Sequence, residues 1–256
     1  EFIVNNFKCI GVRFLSDGEF ANSGSVIFGK QFLQFINADY PIVEDCIFEQ
    51  GQTEPINGGL VRYGTFRNNT FKNCQNGGIV LVAQMNCTHE NNKFFDVWLP
   101  METTGINCVW AGNVVINSAN ANNFLWLGNT SRGMGILDNV IRDNFVYGSF
   151  TGQFFYIEYV PGSAANTIMR NQIINNTFID PAYSGGSNVF MSLYCLGVGR
   201  SFEIRGNKFE NRYGAQSSAN IVVRVSNDGN EIVFAENDVI FSVAPTYLVE
   251  LQGVDR

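Results

Sequence analysis

One five-residue phrase recurs along this chain and constrains it more than any other feature. Arg67-Asn68-Asn69-Thr70-Phe71, Glu90-Asn91-Asn92-Lys93-Phe94, Ile174-Asn175-Asn176-Thr177-Phe178 and Arg205-Gly206-Asn207-Lys208-Phe209 are close variants. Looser copies are Ala111-Gly112-Asn113-Val114-Val115, Leu137-Asp138-Asn139-Val140-Ile141 and Ala235-Glu236-Asn237-Asp238-Val239, with degenerate early members at Val12-Arg13-Phe14 and Asp45-Cys46-Ile47. Self-similarity at such a period marks stacked, solenoid-like units, each too small to bury its own apolar face.

With the second residue of each Asn-Asn pair as position zero, the copies fall at residues 12, 45, 69, 92, 113, 139, 176, 207 and 237. The gaps run from 21 to 37 residues, so insertions belong in loops between constant contacts. Two places later stand Phe14, Ile47, Phe71, Phe94, Val115, Ile141, Phe178, Phe209 and Val239. Three places earlier stand Cys9, Ile42, Phe66, His89, Trp110, Ile136, Ile173, Ile204 and Phe234. Side chains alternate along a strand, so these two columns share the core only if the chain bends between them. Asn is the non-Gly residue that most readily takes the left-handed bend, and stacked Asn side chains can bond along a parallel stack. Strand, Asn bend, strand is the corner of a parallel β-helix. A polar column four places on (Ser16, Glu49, Asn73, Asp96, Asn117, Asp143, Asp180, Asn211) is expected to mark the next corner.

A third strand follows each turn: residues 59–63, 79–82, 124–127, 154–159, 189–191 and 221–223. These runs are apolar at successive positions, as in parallel strands covered on both sides. A subunit, a packed loop or a ligand is therefore expected over the third sheet. The reading is an all-β, single-stranded parallel β-helix of about nine rungs with three strands each, forming one domain over 1–256. The chain opens mid-ladder at Glu1-Phe2 and shows no cap at either end, so a fragment of a longer protein is expected.

A net charge of −7 and no basic run argue against nucleic acid and favour neutral or cationic glycans over anionic ones. No stretch approaches the ~20 apolar residues of a membrane span. The six cysteines sit at differing ladder positions and are expected to be reduced, with Cys87 and Cys108 stacked on adjacent rungs. Zinc at Cys74, Cys87, His89 and Cys108 lacks a Cys-x-x-Cys pair, and no metal or cofactor is expected. His89, the sole histidine, falls in the apolar column and is expected to be a buried, hydrogen-bonded ring. The sequons at Asn68, Asn86, Asn129 and Asn175 largely restate the ladder.

Carboxylates remain as candidates for chemistry. Rungs lie ~4.8 Å apart, so Asp143 and Asp180, placed in one column on adjacent rungs, offer a glycosidase-like separation. Asp at a corner is equally ordinary turn chemistry. Glu158, within the aromatic run Phe154-Phe155-Tyr156-Ile157-Glu158-Tyr159, has no turn role, and Glu102 sits comparably at a strand end. A carboxyl among aromatics can hold the raised pKa of a general acid. Trp98, Trp126, Tyr156 and Tyr159 are candidate stacking platforms for sugar rings, with Arg62 and Arg224 as polar helpers. A subunit interface is the other use for these aromatics.

The Asn-Asn-x-Phe phrase, running over nearly the whole chain, resembles right-handed parallel β-helices of the pectin-lyase-like class. The Gly-Asn-x-Phe and Ile-x-x-Asn-Asn rungs joined by long irregular loops are most similar to bacteriophage tailspikes. That resemblance implies a homotrimer on a virion tail, or otherwise extracellular, that binds bacterial surface polysaccharide and cleaves it with paired Asp and Glu. The Trp-Ile-Asp-His, Asn-Thr-Asp and Gly-His-Gly runs of pectate lyases and polygalacturonases are missing. The expected activity is endoglycosidic hydrolysis with Glu158 as acid and Asp143 or Asp180 as partner. A non-catalytic trimeric spike segment, or a polysaccharide lyase using Tyr156 and Arg62, are the alternatives.

Overall fold

The computed structural model describes residues 4–16, 31–51, 53–121, 124–128, 135–150, 155–158, 168–179, 188–194, 200–212, 220–226, 230–242 and 247–252. Every regular element among them is a β-strand, and the strands form three parallel sheets. Sheet 1 has nine strands, from Lys8–Ile10 to Asn230–Ala235; sheet 2 has nine, from Arg13–Leu15 to Asp238–Phe241. Sheet 3 has twelve, from Val4–Asn5 to Tyr247–Gln252, and its strands overlap all six runs expected as third strands. Each turn of chain lays one strand on each sheet, and the architecture is a parallel β-helix.

The Asn-Asn pair divides its labour at the corner between sheets 1 and 2. The first member bends: Asn68, Asn91 and Asn175 hold φ of 56°, 55° and 55°. Gly206 replaces it with φ 66°, and a Cβ there would fall 2.5 Å from Asn175 Oδ1. The second member points into the core and is buried. Asn69, Asn92, Asn113, Asn144, Asn176, Asn207 and Asn237 form one ladder in which each Oδ1 from Asn92 onward accepts two N–H bonds from the rung before, and that of Asn69 accepts the Cys46 N–H. Each Nδ2 also donates to a carbonyl of the preceding rung, as Asn92 does to Phe66 at 2.9 Å. Sharp corners strand backbone polar groups, and this ladder satisfies them.

Between the corners, apolar columns fill the core. Sheet 2 sends in Phe14, Phe48, Phe71, Phe94, Val115, Val146, Phe178, Phe209 and Val239. The rung spacing sets the ring spacing: Phe48–Phe71 and Phe71–Phe94 stack at 4.9 and 4.8 Å. Burying each ring contributes about 2–3 kcal/mol, with roughly 0.5–1.5 more for the stack.

Two copies of the phrase are out of phase with the sequence reading. Asn139 belongs to a second ladder, at the corner between sheets 3 and 1, where it bonds Cys108 N and Asn171 Oδ1. The true member of the first ladder is Asn144, in Arg142-Asp143-Asn144-Phe145-Val146. Asp143 therefore holds the bending position (φ 57°), and its N–H bonds Ile174 O beside Asn175. Asp180, expected as its column partner, lies outside the described residues. The early copy slips likewise: Val43 and Phe48 face inward where Ile42 and Ile47 were expected. Both corners need a left-handed residue followed by a buried donor–acceptor, so they carry the same local phrase.

Cysteines stand in for Asn at the corners. Cys46, Cys74, Cys87 and Cys108 direct their thiols at backbone carbonyls two residues back, at 3.2, 3.5, 3.3 and 3.4 Å. Cys87 Sγ also accepts the Gly64 N–H at 3.3 Å, the role of Asn Oδ1 elsewhere. Cys87 and Cys108 stack on adjacent rungs, with Val109 N bonding Cys87 O. Burial pushes the Cys74 thiol up to about 11, as for an inert structural group. Cys108→Asn should extend the second ladder by one member and stabilise by about 1 kcal/mol, or roughly 2–4 °C in Tm. A lowered Tm would show that the corner selects thiol size rather than hydrogen bonding.

The cover expected over sheet 3 meets a mixed surface, for its outward residues include Gln34, Asn57, Val80, Glu102 and Trp126. A continuous apolar stripe lies instead on the outside of sheet 2. Phe95, Ile116, Tyr147 and Ile179 occupy one outer column on successive rungs, beside Val114 and Phe145.

Candidate functional site

Register in sheet 3 aligns residues that are far apart in sequence. One column runs Gln34, Asn57, Val80, Glu102, Trp126, Tyr156, Ser192, Arg224 and Glu250. Four candidates thus share a column: Glu102, Trp126, Tyr156 and Arg224. For Tyr156, Glu158 and Arg224 the backbone position is described and the side chain is not. Glu158 holds the register of Gly128, Tyr194 and Ser226 in the same sheet. Tyr159 and Asp180 lie outside the described residues.

Glu102 is half-buried on the outer face, between Val80 and Trp126. Burial first, and the charge of Glu54 second, hold its carboxyl above the ordinary value. Losing solvent penalises the charged form, and a nearby like charge adds to the penalty. Glu54 itself is held by Asn76 Nδ2 one rung on. Trp98, 39% exposed, stands in the corner segment leading into the strand of Glu102, its N–H bonded to Cys74 O. Two carboxyls and two indoles, Trp98 and Trp126, thus mark out the N-terminal half of this face. Glu54 had no ladder position to signal it, lying in the corner Thr53-Glu54-Pro55 outside every repeating column.

Two candidates sit elsewhere. Arg62 ends its strand at the corner between sheets 3 and 1, and its guanidinium grips Asp39 with Nε–Oδ1 2.5 Å and Nη2–Oδ2 3.1 Å. Asp143 lies at the corner between sheets 1 and 2, which in a three-sided solenoid is opposite sheet 3, and it pairs with Arg142 at 2.6 Å. The core separates it from Glu158, so these two do not form a catalytic pair. Its geometry is that of a turn residue.

His89 is buried between Phe66 and Trp110, its ring parallel to both at 4.9 and 5.6 Å, with Nε2 2.7 Å from Gln84 Oε1. Among the described residues no group of three or more His, Cys, Asp or Glu is arranged to hold a metal. No helix among them is long and apolar enough to cross a membrane.

Residues 11–124 match the family described as a right handed beta helix region. Among solved structures the chain is similar to a tailspike protein of the E. coli bacteriophage HK620, a point mutant in complex with a pentasaccharide. The identity is 15% and the TM-score 0.39, over 76% of this chain and 43% of that one. The chain therefore spans less than half the length of that protein. No curated protein matches the sequence.

Proposed function

We propose that this right-handed parallel β-helix binds a bacterial surface polysaccharide along the outer face of sheet 3 and hydrolyses it as an endoglycosidase. The observation that carries this reading is Glu102, a half-buried carboxyl with a raised pKa in register beside Trp126, with Trp98 in the corner segment that leads into its strand. A glycan laid along the axis would rest the C–H faces of its sugars on the aromatic rings. Tyr156 extends the column by one rung. Glu102 enters protonated and gives its proton to the glycosidic oxygen as that bond breaks. Glu54 takes a proton from the water whose oxygen joins the anomeric carbon. The two residues lie two rungs apart, an axial rise of roughly 9–10 Å, with Glu54 set to one side in the corner before the column; a separation on that scale suits inversion better than retention.

Glu158, on the rung after Trp126, is the alternative acid in the same sheet. Glu102→Gln is expected to lower turnover of a cleaved capsular or O-antigen polysaccharide about 10²–10⁴-fold while binding persists. Unchanged turnover in that variant would overturn the assignment, and loss in Glu158→Gln instead would move the acid to Glu158. The lyase alternative draws less support, since the Arg62 guanidinium is occupied by Asp39.

The second reading is a non-catalytic trimeric spike segment, on a virion tail or otherwise extracellular. The apolar stripe on sheet 2 favours it, for Ile116 and Phe145 are 38% and 37% exposed. Light scattering on the purified chain tests it, and a stable monomer would count against it.

A further inference from the structure

A concavity lies on another side of the solenoid from Glu102. The outer face of sheet 1 carries a groove of about 460 Å³ across the strands Asn171–Ile174, Arg200–Arg205 and Asn230–Ala235. Its polar lining includes Arg170, Gln172, Ser201, Glu203, Arg205 and Glu231, and Val233, 41% exposed, supplies an apolar spot. The groove crosses three rungs, a length of roughly 10 Å, which fits about two sugar units.

The charges in and around it are unevenly matched. Arg170 is held by Asp138 through Nε and Nη2 at 2.6 and 2.8 Å. Arg205 bridges Glu203 at 3.0 Å and Glu236 at 2.7 Å, and Gln172 Nε2 donates to Glu203 at 2.9 Å. Glu231 is exposed and has no ion-pair or hydrogen-bond partner among the described residues. Four carboxylates thus face two guanidiniums, and one carboxylate is unmatched. Ser201 Oγ accepts the Arg170 backbone N–H at 2.8 Å, which leaves its own O–H to donate. Gln172 Oε1 remains an acceptor. Alternating donors and acceptors around an apolar spot suit sugar hydroxyls and a sugar C–H face.

We infer that this groove binds a glycan segment carrying a free, protonated amino group, with Glu231 receiving the ammonium. The inference rests on the polysaccharide reading for its ligand class only; the site is separate from Glu102 and asks for no bond cleavage.

The test is calorimetric titration of the whole chain with β-1,4-linked glucosamine tetramer and with its fully N-acetylated counterpart. Wild type is expected to bind the amino form about tenfold more tightly, the scale of one charge-assisted hydrogen bond. Glu231→Gln should erase that preference, and Glu102→Gln should leave it intact. Equal affinities for the two tetramers, or an unchanged preference in Glu231→Gln, would overturn the inference. Spermidine binding as tightly as the amino tetramer would also overturn it, because the groove would then read charge without sugar. Loss of turnover questions confined to Glu102 leave these affinities untouched, so the two readings fail separately.

Discussion

Replacing Asn144 by alanine should destabilise the chain by about 3–5 kcal/mol, lowering Tm by on the order of 10 °C. Asn144 is 1% exposed and makes five hydrogen bonds through side chain and backbone N–H. Its Oδ1 accepts Asn113 N and Nδ2, both at 2.9 Å, and its Nδ2 donates to Trp110 O and Asn176 Oδ1. Alanine strands a buried backbone N–H, an amide proton of Asn113 and a lone pair of Asn176. Each orphaned buried group costs about 1–3 kcal/mol, so the sum exceeds that of an ordinary core truncation of one methyl. The neighbouring Asp143→Gly serves as control, since that residue bends at the surface and glycine bends without strain. Denaturant melts of the two variants decide the matter. A loss below 1 kcal/mol in Asn144→Ala would mean the ladder is geometry without energetic weight.

That the informative substitution is Asn144 and not Asn139 shows what a linear reading can reach. The phrase Asn-Asn-x-Phe reports a local need, a left-handed residue followed by a buried side chain that both donates and accepts. Asn139 and Asn144 meet that need at two different corners only five residues apart, and nothing within either phrase says which corner it turns. Pairing across rungs says so, and pairing is set by loops whose lengths vary. The same limit hid the column joining Glu102, Trp126, Tyr156 and Arg224. Their spacings of 24, 30 and 68 residues carry no period, yet register places them one above another or two rungs on. The three-strand rung, the inward Phe column and the buried role of His89 were legible because each depends on a few adjacent residues. Glu54 was not, because its contribution to Glu102 arises from a corner that repeats nothing.

Mild acid should weaken the fold through His89, by roughly 2–3 kcal/mol between pH 6.5 and 4.5. The ring is 1% exposed, and burial pushes its pKa down to about 3. The unfolded chain takes up the proton near pH 6.5, whereas the native ring refuses it until about pH 3. Stability is therefore complete above pH 6.5 and falls with pH across that window, at about 1.4 kcal/mol per unit. Because this is the sole histidine, no other imidazole contributes. Glu102 acts in the opposite sense: its raised native pKa favours protonation in the folded state and adds stability as pH falls through that value. Chemical denaturation at pH 7 and 4.5, carried out in a Glu102→Gln background, isolates the histidine. The variant His89→Phe/Gln84→Met removes the imidazole together with the amide that bonds it, while keeping a ring between Phe66 and Trp110. It should unfold with nearly equal free energy at the two pH values. An equal acid loss in this variant and in its parent would place the sensitivity elsewhere, in the carboxylates that pair with arginines along the outer corners.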